Sequence, residues 1–112
     1  MSDEADRMLH ILRRTILSEV SRDEADLTLR QLGVFLAMYS GPEPQTVGGL
    51  AKALFIRQPV VARAFNRLID ADLMLRTHDP TNGRRNLFLR TEQGDAMFRH
   101  LGRAMASAAN AI

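Results

Sequence analysis

Apolar residues recur every three to four positions through most of this chain, and the breaks in that rhythm mark where its elements end. Met8, Leu12, Ile16 and Val20 stand four residues apart, with Leu9 and Ile11 broadening the stripe, which predicts an amphipathic first helix. Ser2 is placed to cap it, and Asp3, Glu4 and Asp6 suit the positive end of its dipole. A polar break from Ser21 to Asp26 follows. Thr28 and Gln31 then have capping-box spacing, with Leu27 as a staple residue. Leu32, Phe35, Leu36 and Tyr39 continue at helical spacing until Gly41, Pro42 and Pro44 stop the second helix.

Thr46 is placed to cap a short third helix, Val47 to Leu54. Gly48 and Gly49 weaken it by roughly 1 kcal/mol each relative to Ala, so packing must hold it. Phe55, Ile56 and Arg57 make a tight turn, and Pro59 opens a fourth helix over 58–71, with Val61, Phe65 and Leu68 as its buried stripe. After Asp72 the period changes. Residues 73–78 and 85–90 read as short strands, joined by Asp79 to Arg84 with Pro80 and Asn82-Gly83 marking the turn. Thr91 caps a last helix carrying Met97, Leu101, Met105 and Ala108, with an alanine-rich tail from Ala104 to Ile112. The order predicts a mainly α fold with a small β-hairpin: a winged helix-turn-helix with flanking N- and C-terminal helices. It reads as a single domain, 1–112, with a core over 27–91 and flanking helices over 1–26 and 92–112; we find neither an internal repeat nor a dividing linker.

Composition narrows the function. A chain of 112 residues holds one core, and 46% apolar with 25% charged residues is a globular balance. With no cysteine, disulfides, thiolate zinc sites and thiol redox sensing are excluded, which fits a reducing compartment. No run of about 18 apolar residues exists to span a membrane, and the start is acidic where a secretory signal is basic and then apolar. The expectation is a cytoplasmic protein with no membrane partner. The net charge of +2 hides an asymmetry. Residues 1–26 hold seven acids against four arginines, whereas residues 57–91 hold seven arginines against Asp70, Asp72 and Asp79. All the basic residues but one are arginine, the side chain suited to bidentate contacts with phosphate and base edges. A solvated charged surface has the same composition, so charge by itself decides nothing.

The fourth helix supplies the chemistry. With Val61, Phe65 and Leu68 inward, Gln58, Ala62, Arg63 and Asn66 lie outward. Gln58 and Asn66 have the groups to pair bidentately with adenine, Arg63 with guanine, and Val60 offers an apolar contact to a thymine methyl. Arg67 suits either a phosphate or a salt bridge to Asp70 or Asp79. In the hairpin, Arg84 beside the turn is the candidate for minor-groove insertion. Arg85 and Asp79 flank the turn on opposite strands, placed to pair and stiffen it, with Gly83 in support. His10, His78 and His100 have no metal-ligand spacing, and no serine or tyrosine is paired with a base. No enzyme activity and no cofactor are expected. Phe35, Met38 and Tyr39 sit at a spacing that serves a core more often than an effector pocket.

The runs Leu27–Leu32, Thr46–Ala51, Ile56–Leu68 and Asp79–Arg85 together resemble the multiple-antibiotic-resistance regulator (MarR) family, over about residues 27–101. The wing motif is the most specific part. The resemblance implies a homodimeric transcription regulator, more often a repressor, that binds double-stranded DNA at a pseudo-palindromic operator. The 58–71 helix would enter the major groove and the 79–85 wing the flanking minor groove, with Arg57, Gln58, Val60, Arg63, Asn66, Arg67, Arg84 and Arg85 on DNA. First and last helices of two subunits would form the dimer, which brings in Met8, Leu12, Ile16, Met97, Leu101 and Met105. A small aromatic effector is a possible further partner. Four features depart from the family pattern. Arg57 stands where a capping Ser is usual, Phe55 and Asp72 where Gly is usual, and the C-terminus is short enough to lack the last helix. That short end and the acidic first helix also suit another class, a winged-helix adaptor or antirepressor that does not bind DNA by itself.

Overall fold

A computed structural model describes residues 3–22 and 26–111, so the Ser2 cap and part of the polar break lie outside the described residues. The element order is α1 (Asp3–Val20), α2 (Leu29–Ser40), α3 (Val47–Leu54), α4 (Gln58–Asp70), β1 (Met74–Asp79), β2 (Asn82–Arg90) and α5 (Glu92–Asn110). The chain divides into two compact units, residues 25–96 and residues 1–24 with 97–112.

In the 25–96 unit the helix boundaries follow their caps. Thr28 Oγ1 accepts from the Gln31 amide at 3.1 Å while Gln31 Oε1 accepts from the Thr28 amide at 2.9 Å, closing the capping box that opens α2. Thr46 Oγ1 accepts from the Gly49 amide at 3.0 Å to start α3. Arg57 caps α4 without a side-chain bond, as expected where serine is missing. The ends of α3 and α4 both turn through left-handed backbone. Phe55 has φ 56° and Asp72 has φ 60°. Behind them the Ile56 amide returns to the Ala51 carbonyl at 3.1 Å and the Leu73 amide to Leu68 at 2.9 Å, the Schellman pattern.

The core of this unit joins α2, α4 and the hairpin. Val34, Phe35, Met38, Val61, Phe65 and Leu68 are essentially inaccessible to solvent. Phe35 and Tyr39 stack with ring centroids 4.5 Å apart, and Phe65 packs on Phe88 at 4.4 Å. Phe35, Met38 and Tyr39 are therefore core. Gln45 extends the hairpin by one backbone pair, its amide and carbonyl bonding Phe88 at 3.0 and 2.9 Å. The Tyr39 hydroxyl donates to the Leu73 carbonyl at 2.6 Å and accepts from the Thr91 amide at 3.1 Å. That hydroxyl lies against Gly94, where a Cβ would stand only 1.6 Å away, so no side chain fits.

In the other unit the predicted stripe of α1 does not face inward. Ile11 and Thr15 are the buried residues of α1, and Thr15 Oγ1 donates back to the Ile11 carbonyl at 2.7 Å. Met8, Leu12 and Ile16 are 44%, 53% and 41% exposed. On α5, Met97 and Leu101 are half-buried, Met105 is exposed and Ala108 is buried. His100 Nε2 lies 2.5 Å from Glu19 Oε1 and 2.6 Å from Arg22 Nη1.

Two stability changes follow from these contacts. Phe55 is 97% exposed, so Phe55→Gly removes left-handed strain and almost no packing. It should stabilise by about 1 kcal/mol and raise the melting temperature a few degrees. An unchanged or lower melting temperature would contradict a strained backbone there. Gly94→Ala should cost at least about 2 kcal/mol, because the methyl group displaces Tyr39 from both its partners, and denaturant titration reads this directly.

Candidate nucleic-acid interface

The outward face of α4 carries the predicted residues. Arg57, Gln58, Arg63 and Asn66 are exposed, while Val60, Ala62 and Arg67 are half-buried. No acidic residue interrupts the stretch from Arg57 to Arg67. Arg67 takes a different partner from those expected: its Nη2 donates to the Asp26 carbonyl at 3.1 Å. Asn66 does not stand alone either. Arg76 Nη2 donates to Asn66 Oδ1 at 2.7 Å, and the same guanidinium lies 5.9 Å above the Phe88 ring.

The hairpin differs from its predicted outline. β1 keeps the expected six residues, shifted by one, while β2 begins at Asn82 instead of Arg85, so Pro80-Thr81 makes the tip in place of a turn running from Asp79 to Arg84. Register explains the change. Met74 to His78 pair in step with Arg90 to Asn86, but Asp79 pairs with Asn82. Gly83, Arg84 and Arg85 are thus three residues of β2 without counterparts on β1, an irregularity that bends a strand and re-aims its side chains. Arg84 and Arg85 are both exposed on this looped-out segment. Gly83 is not needed for its conformation, since its φ is not positive and an added Cβ would meet nothing within 4 Å.

Two short polar side chains order the tip. Asp79 Oδ1 accepts from the Thr81 hydroxyl at 2.7 Å and its amide at 2.9 Å, and Asn82 Oδ1 accepts from the Arg84 amide at 3.2 Å. The Thr81 bonds are what hold the Asp79 carboxyl below its ordinary value, with the charge of Arg85 a smaller contribution. The expected Asp79–Arg85 pair is therefore replaced by a local turn. A hydroxyl and an amide two residues away reach the carboxylate without ordering a long side chain.

Beside this segment, Thr46 at the N-cap of α3 and Val47 and Gly48 in its first turn line, with Arg85, Asn86 and Phe88 of β2, an open groove of about 360 Å³. Arg90, one of the basic residues of this region, serves the fold instead. Its Nη2 donates to the Gly41 carbonyl, its guanidinium lies 5.7 Å over Tyr39, and its amide donates to Glu43 Oε2 at 2.6 Å. Sequence spacing missed Arg76, Arg90 and Gln45 because their partners are distant in the chain. The residues expected at a dimer interface lie in the other unit, where Met8, Leu12, Ile16 and Met105 are exposed.

No curated protein matches the chain. Solved structures do. A MepR mutant from a multidrug-resistant S. aureus clinical isolate superposes with TM-score 0.77 at 18% identity, covering 99% of this chain and 80% of that one. A MepR mutant bound to an oligodeoxyribonucleotide has TM-score 0.65 at 20% identity, covering 93% and 68%. The PcaV transcriptional regulator of Streptomyces coelicolor, in complex with its natural ligand, has TM-score 0.64 at 23% identity, covering 93% and 72%. These similarities establish the fold, a winged helix. The MarR family model matches residues 25–85, more than half of the sequence. The chain belongs to the MarR family.

Proposed function

We propose that this protein is a sequence-specific DNA-binding transcription regulator, a homodimeric repressor acting in the cytoplasm on double-stranded DNA. The observation that carries the reading is the placement of exposed arginines on two neighbouring elements. Arg57 stands at the N-cap of α4 and Arg63 on its outward face, with Arg84 and Arg85 on the looped-out segment of the wing. Arginine on a helix reads guanine in the major groove, and arginine on a projecting tip enters a narrow, electronegative minor groove. The MepR complex with an oligodeoxyribonucleotide gives a family-fold precedent. The exposed apolar residues of α1, with Met105, supply the surface that a second copy would cover. A small aromatic acid is the candidate effector, and the open groove beside α3 offers Arg85 for its carboxylate.

Selection of bound duplexes from a random pool tests the reading. A palindromic motif is expected. Absence of salt-dependent binding at low ionic strength would favour the adaptor reading instead. Arg84→Ala should weaken binding and flatten the plot of log affinity against log salt by about one unit of slope. An unchanged slope removes Arg84 from the interface.

Asp79 links the wing to pH. Its carboxyl titrates below the ordinary 3.8 because Thr81 bonds its ionised form. Its contribution to the turn is therefore fully present above the ordinary value and lost as pH falls through the lowered one. The Thr81 amide should lose its protection relative to an unstructured amide at the same pH, and shift its proton resonance, as the pH falls through that lowered value. An Asp79→Ala variant should show that loosened amide already at neutral pH, with the global melting temperature nearly unchanged.

A further inference from the structure

We propose that Arg76 is a positioning residue for base reading, fixing which end of the Asn66 carboxamide meets a base edge. This rests on the DNA-binding reading above and goes beyond it by naming what makes one contact selective.

The two ends of an asparagine amide are nearly equal in size but opposite in chemistry. Rotation by half a turn exchanges acceptor and donor. Adenine demands one order only, an acceptor against its N6 amino group and a donor against N7. An exposed asparagine populates both orders, and half of that population presents adenine with the wrong groups. A guanidinium carries donors and no acceptor, so it bonds Oδ1 and opposes Nδ2. The bond from Arg76 Nη2 to Asn66 Oδ1, at 2.7 Å, therefore selects one order. The second lone pair of Oδ1 and both Nδ2 hydrogens stay available to a base.

Arg76 is itself held. It is the cross-strand partner of Phe88, and its guanidinium lies 5.9 Å over that ring. Phe88 is 3% exposed and packs at 4.4 Å on Phe65, the residue preceding Asn66. One buried ring thus anchors both the strand that carries the guanidinium and the helix that carries the amide. Gln58, Ala62 and Asn66 recur at four-residue spacing along α4, so Asn66 lies on the stripe that the proposed major-groove face uses.

Random-pool selection with the full chain and three variants tests this. Asn66→Ala should lose preference for adenine at one position of each half-site, which assigns the contact. Arg76→Gln keeps a side chain able to bond Asn66 in either order, and should lose at least about twofold of adenine preference at that same position only, the factor expected when one order in two is competent. Arg76→Lys keeps a donor-only group and should retain most of the preference. A merely structural brace would leave Lys and Gln alike, with any loss of affinity spread evenly over all positions. That result, or an unchanged motif in Arg76→Gln, overturns the proposal. A wild-type chain that enriches no motif overturns the DNA-binding reading itself, and the two failures are distinct. Melting temperatures of the variants check that each is folded.

Discussion

The packing of Phe65 against Phe88 is the contact on which the rest of the 25–96 unit depends. Phe65 projects from the middle of α4 and Phe88 from β2, so their rings set the helix against the hairpin. The Phe88 backbone does further work, pairing with Gln45 just before α3 begins. Helix, hairpin and the approach to α3 thus meet at one residue. An aromatic pair is worth about 0.5–1.5 kcal/mol beyond the area it buries, but its geometric consequence matters more here. If α4 and the wing are to meet adjacent grooves of one duplex, the angle between them must be held, and these rings hold it.

A second junction secures the far end of the hairpin. Tyr39 bridges the Leu73 carbonyl and the Thr91 amide, closing the strands at their base. Gly94 gives the hydroxyl its room. Arg90 satisfies the carbonyl of Gly41 where α2 ends at a proline-rich turn, and there a lost helical bond would otherwise leave an orphan acceptor. This guanidinium is spent on the fold. The same is partly true of Arg67 and Arg76, which bond a carbonyl and an amide of their own unit. The basic stretch from 57 to 91 is therefore three populations: arginines that build, one that orients a neighbour, and four that project into solvent. Composition treats them as one number; geometry separates them.

The helix ends show what the fold tolerates in order to keep its turns tight. Phe55 and Asp72 both adopt left-handed backbone without glycine. Aspartate tolerates that region because its short polar side chain bonds locally, whereas phenylalanine carries the full steric cost. Both stand at helix ends whose returning bonds close a Schellman turn, and the turn geometry overrides the residue preference.

Much of this was legible in the sequence. The capping box at Thr28, the Thr46 cap, the α3 limits and the inward stripe Val61, Phe65 and Leu68 follow from spacing and side-chain chemistry within a few residues. Periodicity reports local geometry, and these features are local. The apolar stripe of α1 was equally visible, yet its period cannot say whether this chain or another covers it; Met8, Leu12 and Ile16 are exposed. Hairpin register was not legible. Pro80 and Asn82-Gly83 signal a turn, but the Thr81 bonds to Asp79 close it at Pro80-Thr81 and leave Arg84 and Arg85 on a looped-out segment. Arg76 with Asn66, Arg90 with Gly41 and Gln45 with Phe88 were likewise decided by tertiary structure alone. Such pairs join residues ten to fifty positions apart, and only packing determines which distant donor meets which acceptor. The sequence by itself determined a basic helix and a basic wing; the folded chain decided which arginines remain to meet a partner.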